Sequence, residues 1–380
     1  MSATKLFYLA GVAILLASPV LAQPAGNLIT VYSFQGYPAD GANPAAKLIY
    51  QGGSLYGATV SGGATGNGAV FKVNPLTGAE AVVYSLTASV GKTPRAGLIY
   101  LNNMLYGTAE SGAAGQGSVF SVDPATGNGN LLYRFGAPPD AGSPDGELLA
   151  VQNELYGVAQ AGGADTYDGA VYKIDPSSGT ETLVHSFPAG THGDAPSGAL
   201  IYARKIIWGT TQMGGSANNG TIFWVNPATG KTHDIYSFQG GTDGQYPSAG
   251  LLELGGMLYG TTLSGGPADA GTVFKINPAT GAETVIYSFQ YGSDGANPAS
   301  SLIAVHGFLY GTTTGGGTSG FGTLYSINLQ TGAETILHNF TGGQDGAIPN
   351  AGLIYAGGNL YGTTESGGAI GLGTVYKIKP

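Results

Sequence analysis

The side chains able to do chemistry fall at two kinds of place. Asp40-Gly41, Asp243-Gly244, Asp294-Gly295 and Asp345-Gly346 recur at one position of a long-period pattern, with His192-Gly193 and Asp140-Ala141 as variants and Val90-Gly91 lacking the acid. A ring of carboxylates on one face can take a cation such as calcium, or the hydroxyls of a glycan. Asp-Gly is also ordinary turn chemistry, with aspartate bonding its local backbone and glycine taking a positive φ. The turn reading is favoured, because calcium needs about six or more converging oxygens and each loop here carries one carboxylate. No resident cofactor is therefore expected, calcium being the one cation these loops suggest.

The second place departs from the pattern. Between 134 and 147 the chain carries Arg134, Asp140, Asp145 and Glu147, and the next loop of the same repeat carries Asp165, Tyr167 and Asp168. Elsewhere these loops hold mainly Ser, Ala and Gly. Five acids and an out-of-pattern arginine make this sector the candidate binding or catalytic region, set against the simpler reading of drift on a solvated surface. One repeat further on, Trp208 replaces a recurrent tyrosine and Trp224 a recurrent lysine, beside Arg204 and Lys205. Either indole can stack a sugar, and either can fill the core.

Other chemistries are excluded. The run 63–68 is glycine-rich, but a phosphate loop must open a helix and here a strand follows. Five histidines, His185, His192, His233, His306 and His338, show no metal spacing, and there is no cysteine to help them or to form disulfides. No Gly-x-Ser-x-Gly elbow and no nucleophile, base and orienter set is present. Paired acids for glycoside hydrolysis, assembled across repeats, remain open. The formal net charge of -9 argues against nucleic acid as a partner.

The elements that must position these residues repeat. Tyr56, Tyr106, Tyr156, Trp208, Tyr259, Tyr310 and Tyr361 hold one station, at successive spacings of 50, 50, 52, 51, 51 and 51 residues. In the fifth repeat, strands are expected at 249–252, Met257–Thr262, Thr272–Ile276 and 284–289, with Gly-Gly and Asn-Pro-x-Thr-Gly turns between them. No segment has helical periodicity, so the class is all-β. The chain after 26 begins with a fourth strand and its end supplies a third, which suits a ring closed by a three-plus-one join. A seven-bladed β-propeller of four-stranded blades follows, as one domain over 23–380. Residues 1–22, with Lys5, an apolar run and small residues ending at Ala22, have the layout of a cleaved signal peptide. No later stretch is long and apolar enough to span a bilayer.

The run Leu-Tyr-Gly-Thr-Thr, Gly-Gly, Gly-Thr-Val-Phe-Lys-Ile-Asn-Pro-x-Thr-Gly, Tyr-Ser-Phe and Asp-Gly-x-x-Pro-x-Ala-Gly-Leu-Ile resembles the GloVer tandem repeat of exported bacterial proteins, over 27–380. The resemblance implies secretion, a propeller-like β fold and no established activity. Related proteins often continue into a sorting or anchoring segment; this chain stops at Pro380, so release into the periplasm or medium is expected. The leading expectation is a monomeric binding or scaffold propeller whose loop-rich face contacts a glycan or an envelope or extracellular protein. The alternatives are a polysaccharide-degrading enzyme using acids of the third-blade sector, and a purely structural surface component.

Overall fold

The computed structural model describes residues 27–112, 115–163, 168–188 and 192–380. The expected signal segment lies outside them, as do Asp165 and Tyr167. Among the described residues there is no helix, and the strands form seven small antiparallel sheets plus a two-stranded ribbon pairing Gly41–Ala42 with Ser61–Gly62. The chain is a seven-bladed β-propeller.

The fifth blade comprises Leu252–Leu254, Met257–Thr262, Thr272–Ile276 and Glu283–Ser288, paired in that order. Its two middle strands are almost wholly buried, as β-rich sequences between neighbouring blades must be. The first strand starts later than the expected 249–252. Before Leu252 only an isolated bridge joins Gln245 to Ser264, whereas in the fourth blade the strand Gly193–Ala203 runs through the matching Pro196. A proline has no N–H to give a ladder, and the ring of Pro247 instead packs on Gly220 of the preceding blade. Each blade has this proline, as Pro44, Pro94, Pro144, Pro196, Pro247, Pro298 and Pro349. In the last blade Ile354–Ala356, Asn359–Thr364 and Thr374–Ile378 are completed by Ile29–Ser33, with Ile29 opposite Lys377 and Ser33 opposite Thr374.

The core lies between blades. Each of seven apolar clusters straddles two neighbours. At six seams the phenylalanine that follows a fourth strand meets, edge to face, an aromatic ring of the next blade's third strand. Phe34 reaches Phe71 at 4.9 Å between centroids, Phe135 reaches Tyr172 at 4.8 Å, and Phe187 reaches Phe223 at 5.0 Å. Phe238 meets Phe274 at 5.1 Å, Phe289 meets Tyr325 at 5.0 Å, and Phe340 meets Tyr376 at 5.3 Å. The seventh seam uses Leu86 with Phe120. Such pairs add about 0.5–1.5 kcal/mol to the apolar area they bury.

Phe289→Ala is expected to cost about 3–5 kcal/mol in denaturant unfolding, since it empties a seam. Tyr325 is fully buried and its hydroxyl has no hydrogen-bond partner, while the same station holds Phe71, Phe120, Phe223 and Phe274 elsewhere. Tyr325→Phe should therefore leave the melting temperature unchanged or raise it, because removing an unsatisfied buried hydroxyl relieves its desolvation.

Candidate functional site

The Asp-Gly loops close seams. Asp40 accepts the Tyr32 hydroxyl at 2.7 Å and the Gln35 and Gly41 N–H groups at 2.6 Å each. Asp243 accepts Tyr236 at 2.7 Å and Gln239 N–H at 2.6 Å, and Asp294 accepts Tyr287 and Gln290 N–H at 3.0 Å each. Asp345 takes His338 Nε2 at 2.9 Å in the tyrosine's place. The glycine is required by space as well as conformation. Gly295 has φ 103°, and a Cβ there would stand 2.5 Å from Thr313 Oγ1. These carboxylates are thus committed to local donors, and the fourth-strand tyrosines Tyr32, Tyr236 and Tyr287 hold the loops.

A third group joins the set. Glu80, Glu181, Glu283 and Glu334 open the fourth strand of the following blade, beside Asp40, Asp140, Asp243 and Asp294. Burial, and then the neighbouring aspartate charge, pushes each from an ordinary 4.5 up to about 7. Oε1 of each is buried without a hydrogen-bond partner. Where Val90 replaces the acid, the matching position is Gly129, and a Cβ there would lie 2.4 Å from Tyr84 Cζ. The seam between the third and fourth blades differs again. His185, His192, His233 and Asp234 line a cavity of about 440 Å³, with His192 Nδ1 3.2 Å from Asp234 Oδ2 and His185 Nδ1 3.4 Å from Thr232 Oγ1. Three histidines that seemed scattered in sequence therefore gather. Among the described residues no group of three or more His, Asp or Glu is arranged to hold a metal ion.

The remaining charged departures meet at the ring axis. The residue after the recurrent proline of each blade reads Ala45, Arg95, Asp145, Ser197, Ser248, Ala299 and Asn350, and all but Asp145 and Ser197 line the axial mouth. The residue that follows the second strand's Thr-Thr station reads Val60, Glu110, Gln160, Gln212, Leu263, Thr314 and Glu365. Arg95 Nε lies 3.0 Å from Glu110 Oε2, and its Nη1 reaches Glu365 Oε1 at 4.0 Å across the first blade, where Ala45 and Val60 leave room. Asn350 Nδ2 donates to Glu365 at 3.0 Å, and Gln160 Nε2 donates to Asp145 at 2.8 Å. Burial, and then the charge of Glu110, raises the Asp145 carboxyl above its ordinary range, while Arg95 and Gln160 oppose the shift. The result is one polar arc over the seventh, first, second and third blades, facing a neutral arc of Ser248, Ala299 and Gly250. Two residues deeper, Lys47 Nζ stands 3.6 Å from Glu147 Oε2 and bars the channel.

The third-blade sector is thus divided. Asp145 and Glu147 lie at the axis. Asp140 belongs to a seam, accepting Tyr133 at 3.0 Å and Gly136 N–H at 2.6 Å. Arg134 donates to the Ser89 carbonyl of the second blade. Asp168 stands near Asp194 instead, with Oδ2 buried and unpartnered. Trp208 is in the core between the fourth and fifth blades, and its Nε1 donates to the Ala203 carbonyl at 3.3 Å. Lys47, Arg95, Glu110, Asn350 and Glu365 were not singled out from the sequence. Arg95 and Glu110 stand fifteen residues apart in the second blade, as Asn350 and Glu365 do in the seventh, and no local motif marks either pair.

Fold and mouth define a β-propeller whose non-repeating side chains converge on one end of its axis. The chain belongs to the Gloeobacter/Verrucomicrobia repeat family, whose model matches residues 20–167 and 143–376. No curated protein matches it. Among solved structures it is similar to an oligogalacturonate lyase in complex with manganese, at 12% identity and a TM-score of 0.58, covering 94% of this chain and 98% of that one. It is also similar to the extracellular domain of a putative one-component system of B. thetaiotaomicron, at 14% identity and a TM-score of 0.55, covering 92% of this chain and 42% of that one. At these identities the likeness is one of fold.

The seam glutamates set a pH dependence. Unfolded, they lose their protons near 4.5; folded, they keep them to about 7. The folded state binds more protons across that window, so stability falls as pH rises from 4.5 to 7 and levels above it. His185, held below its ordinary value by burial, acts in the opposite sense as a single group. Melting temperatures measured across this range should therefore decline, and a variant with all four glutamates changed to Gln should show a flatter profile.

Proposed function

We propose that this protein is an exported binding propeller that holds a glycan through the axial mouth of its loop-rich face. One observation carries the reading. Six side chains that depart from the repeat, Arg95, Glu110, Asp145, Gln160, Asn350 and Glu365, gather there as three hydrogen-bonded pairs, with Arg95 reaching Glu365 at 4.0 Å. Carboxylates, amides and a guanidinium in fixed array suit a polyhydroxylated ligand, because each can bond sugar hydroxyls directionally. The neutral opposite wall leaves room for the ligand's less polar face. The family match and the fold shared with an extracellular domain support export. No helix among the described residues is long and apolar enough to cross a membrane.

A second reading rests on Asp145. Burial, and then the Glu110 charge, raises this carboxyl, and two acids set close together in unlike surroundings are the pattern of a paired acid site. That is the chemistry of polysaccharide cleavage.

Binding to an oligosaccharide array, followed by calorimetry, tests both. The native protein is expected to bind at least one glycan saturably, and Arg95→Met with Glu110→Gln to weaken that binding by about tenfold, the loss expected for hydrogen bonds to charged groups. Undiminished binding by the double variant would remove the mouth from consideration. Release of reducing ends from a polysaccharide, abolished by Asp145→Asn, would favour the enzyme.

A further inference from the structure

Beneath the Lys47–Glu147 bar the axis holds a second space of different chemistry. The bar exists because neighbouring stations are empty. Glu147 crosses the second blade over Gly97, where a Cβ would stand 3.1 Å from its carboxyl carbon. On the other side, a Cβ at Gly352 would stand 3.2 Å from Lys47 Cδ and 3.5 Å from Ser301 Cβ, so Lys47 and Ser301 flank the same gap. Two residues further along the first strands, the lining changes to Ile99, Leu149, Ile201, Leu252, Ile303 and Ile354. With Lys47, Glu147 and Ser301 as its roof, this aliphatic collar encloses a chamber of about 440 Å³ that reaches the hairpin face at Tyr355. The polar mouth above is only about 110 Å³.

We propose that the chamber binds a straight-chain aliphatic monocarboxylate, its hydrocarbon within the collar and its carboxylate at Lys47 and Ser301. The collar's side chains offer water no hydrogen-bond partner, so water against them is poorly held and readily displaced by methylene groups. The roof decides the head group. Ser301 Oγ already accepts the Gly250 N–H at 3.0 Å, which leaves its own hydrogen to donate. Lys47 carries three N–H groups and meets Glu147 at the long distance of 3.6 Å. Lys47 and Ser301 thus carry donors that Glu147 does not meet at hydrogen-bond distance, and a carboxylate head group can take them. The chamber shares Lys47, Glu147 and Ser301 with the mouth above it, while its aliphatic collar belongs to the chamber and not to the mouth.

Titration calorimetry of the full chain with acetate, butanoate, hexanoate, octanoate and decanoate tests the assignment. Affinity is expected to rise about fourfold per methylene, equivalent to about 0.8 kcal/mol, and to stop rising when the chamber is full. Ile303→Trp, which fills the collar, should abolish octanoate binding. Lys47→Met, at the partly exposed bar, should weaken it about tenfold while leaving the gain per methylene intact. Melting curves establish that each variant is folded. Absence of saturable octanoate binding to the native protein would overturn the proposal, as would equal octanoate affinity in a folded Ile303→Trp protein. Should Ile303→Trp not fold, an unchanged octanoate affinity in Lys47→Met would overturn the placement of the head group.

Discussion

The insertion of one ring into the next blade holds this molecule together. A four-stranded blade cannot bury both of its faces alone, so each depends on a neighbour for its core. Here the dependence is concentrated in the phenylalanine that follows each fourth strand, buried against an aromatic of the adjacent third strand. The Asp-Gly loop starts a few residues later, and its carboxylate is bonded to the tyrosine two places before that phenylalanine. Loop and seam are consequently one device. Position the ring and the tyrosine is positioned; position the tyrosine and the loop is tied.

The seam carboxylates illustrate how a repeat handles a difficult group. Two acids and a phenol share a partly buried space, which favours keeping a proton on the glutamate. Where the aspartate is missing, the glutamate is missing too, as at Val90 with Gly129. Where histidines replace the set, the space opens into a cavity. Each seam is therefore chemically self-consistent, although the seven are not identical.

The fold was legible from sequence because the same packing problem is solved at every spacing of about fifty residues, and repetition exposes the solution. Strand boundaries followed where ladders are regular, and failed at the first strand, where the ring of Pro247 packs on a glycine of the preceding blade. The site was legible only in part. Asp145 and Glu147 stood out because acids are dense around them, yet Arg134, Asp140 and Trp208, chosen on the same grounds, serve the seams and core. Arg95, Glu110, Asn350 and Glu365 escaped notice because proximity along the chain says nothing about a ring. Arg95 and Glu110 pair within one blade and Asn350 and Glu365 within another, and it is the ring that brings the two pairs within 4.0 Å.

The axial stations have a consequence for how such a chain can diverge. The station at Lys47, Gly97, Glu147, Ala199, Gly250, Ser301 and Gly352 holds glycine, alanine or serine in five blades and a charge in two, while the rings and threonines behind it stay nearly constant. Substitution there changes what lies at the axis without disturbing the surfaces on which adjacent blades depend. Axial chemistry and architecture are thereby separable, one position at a time.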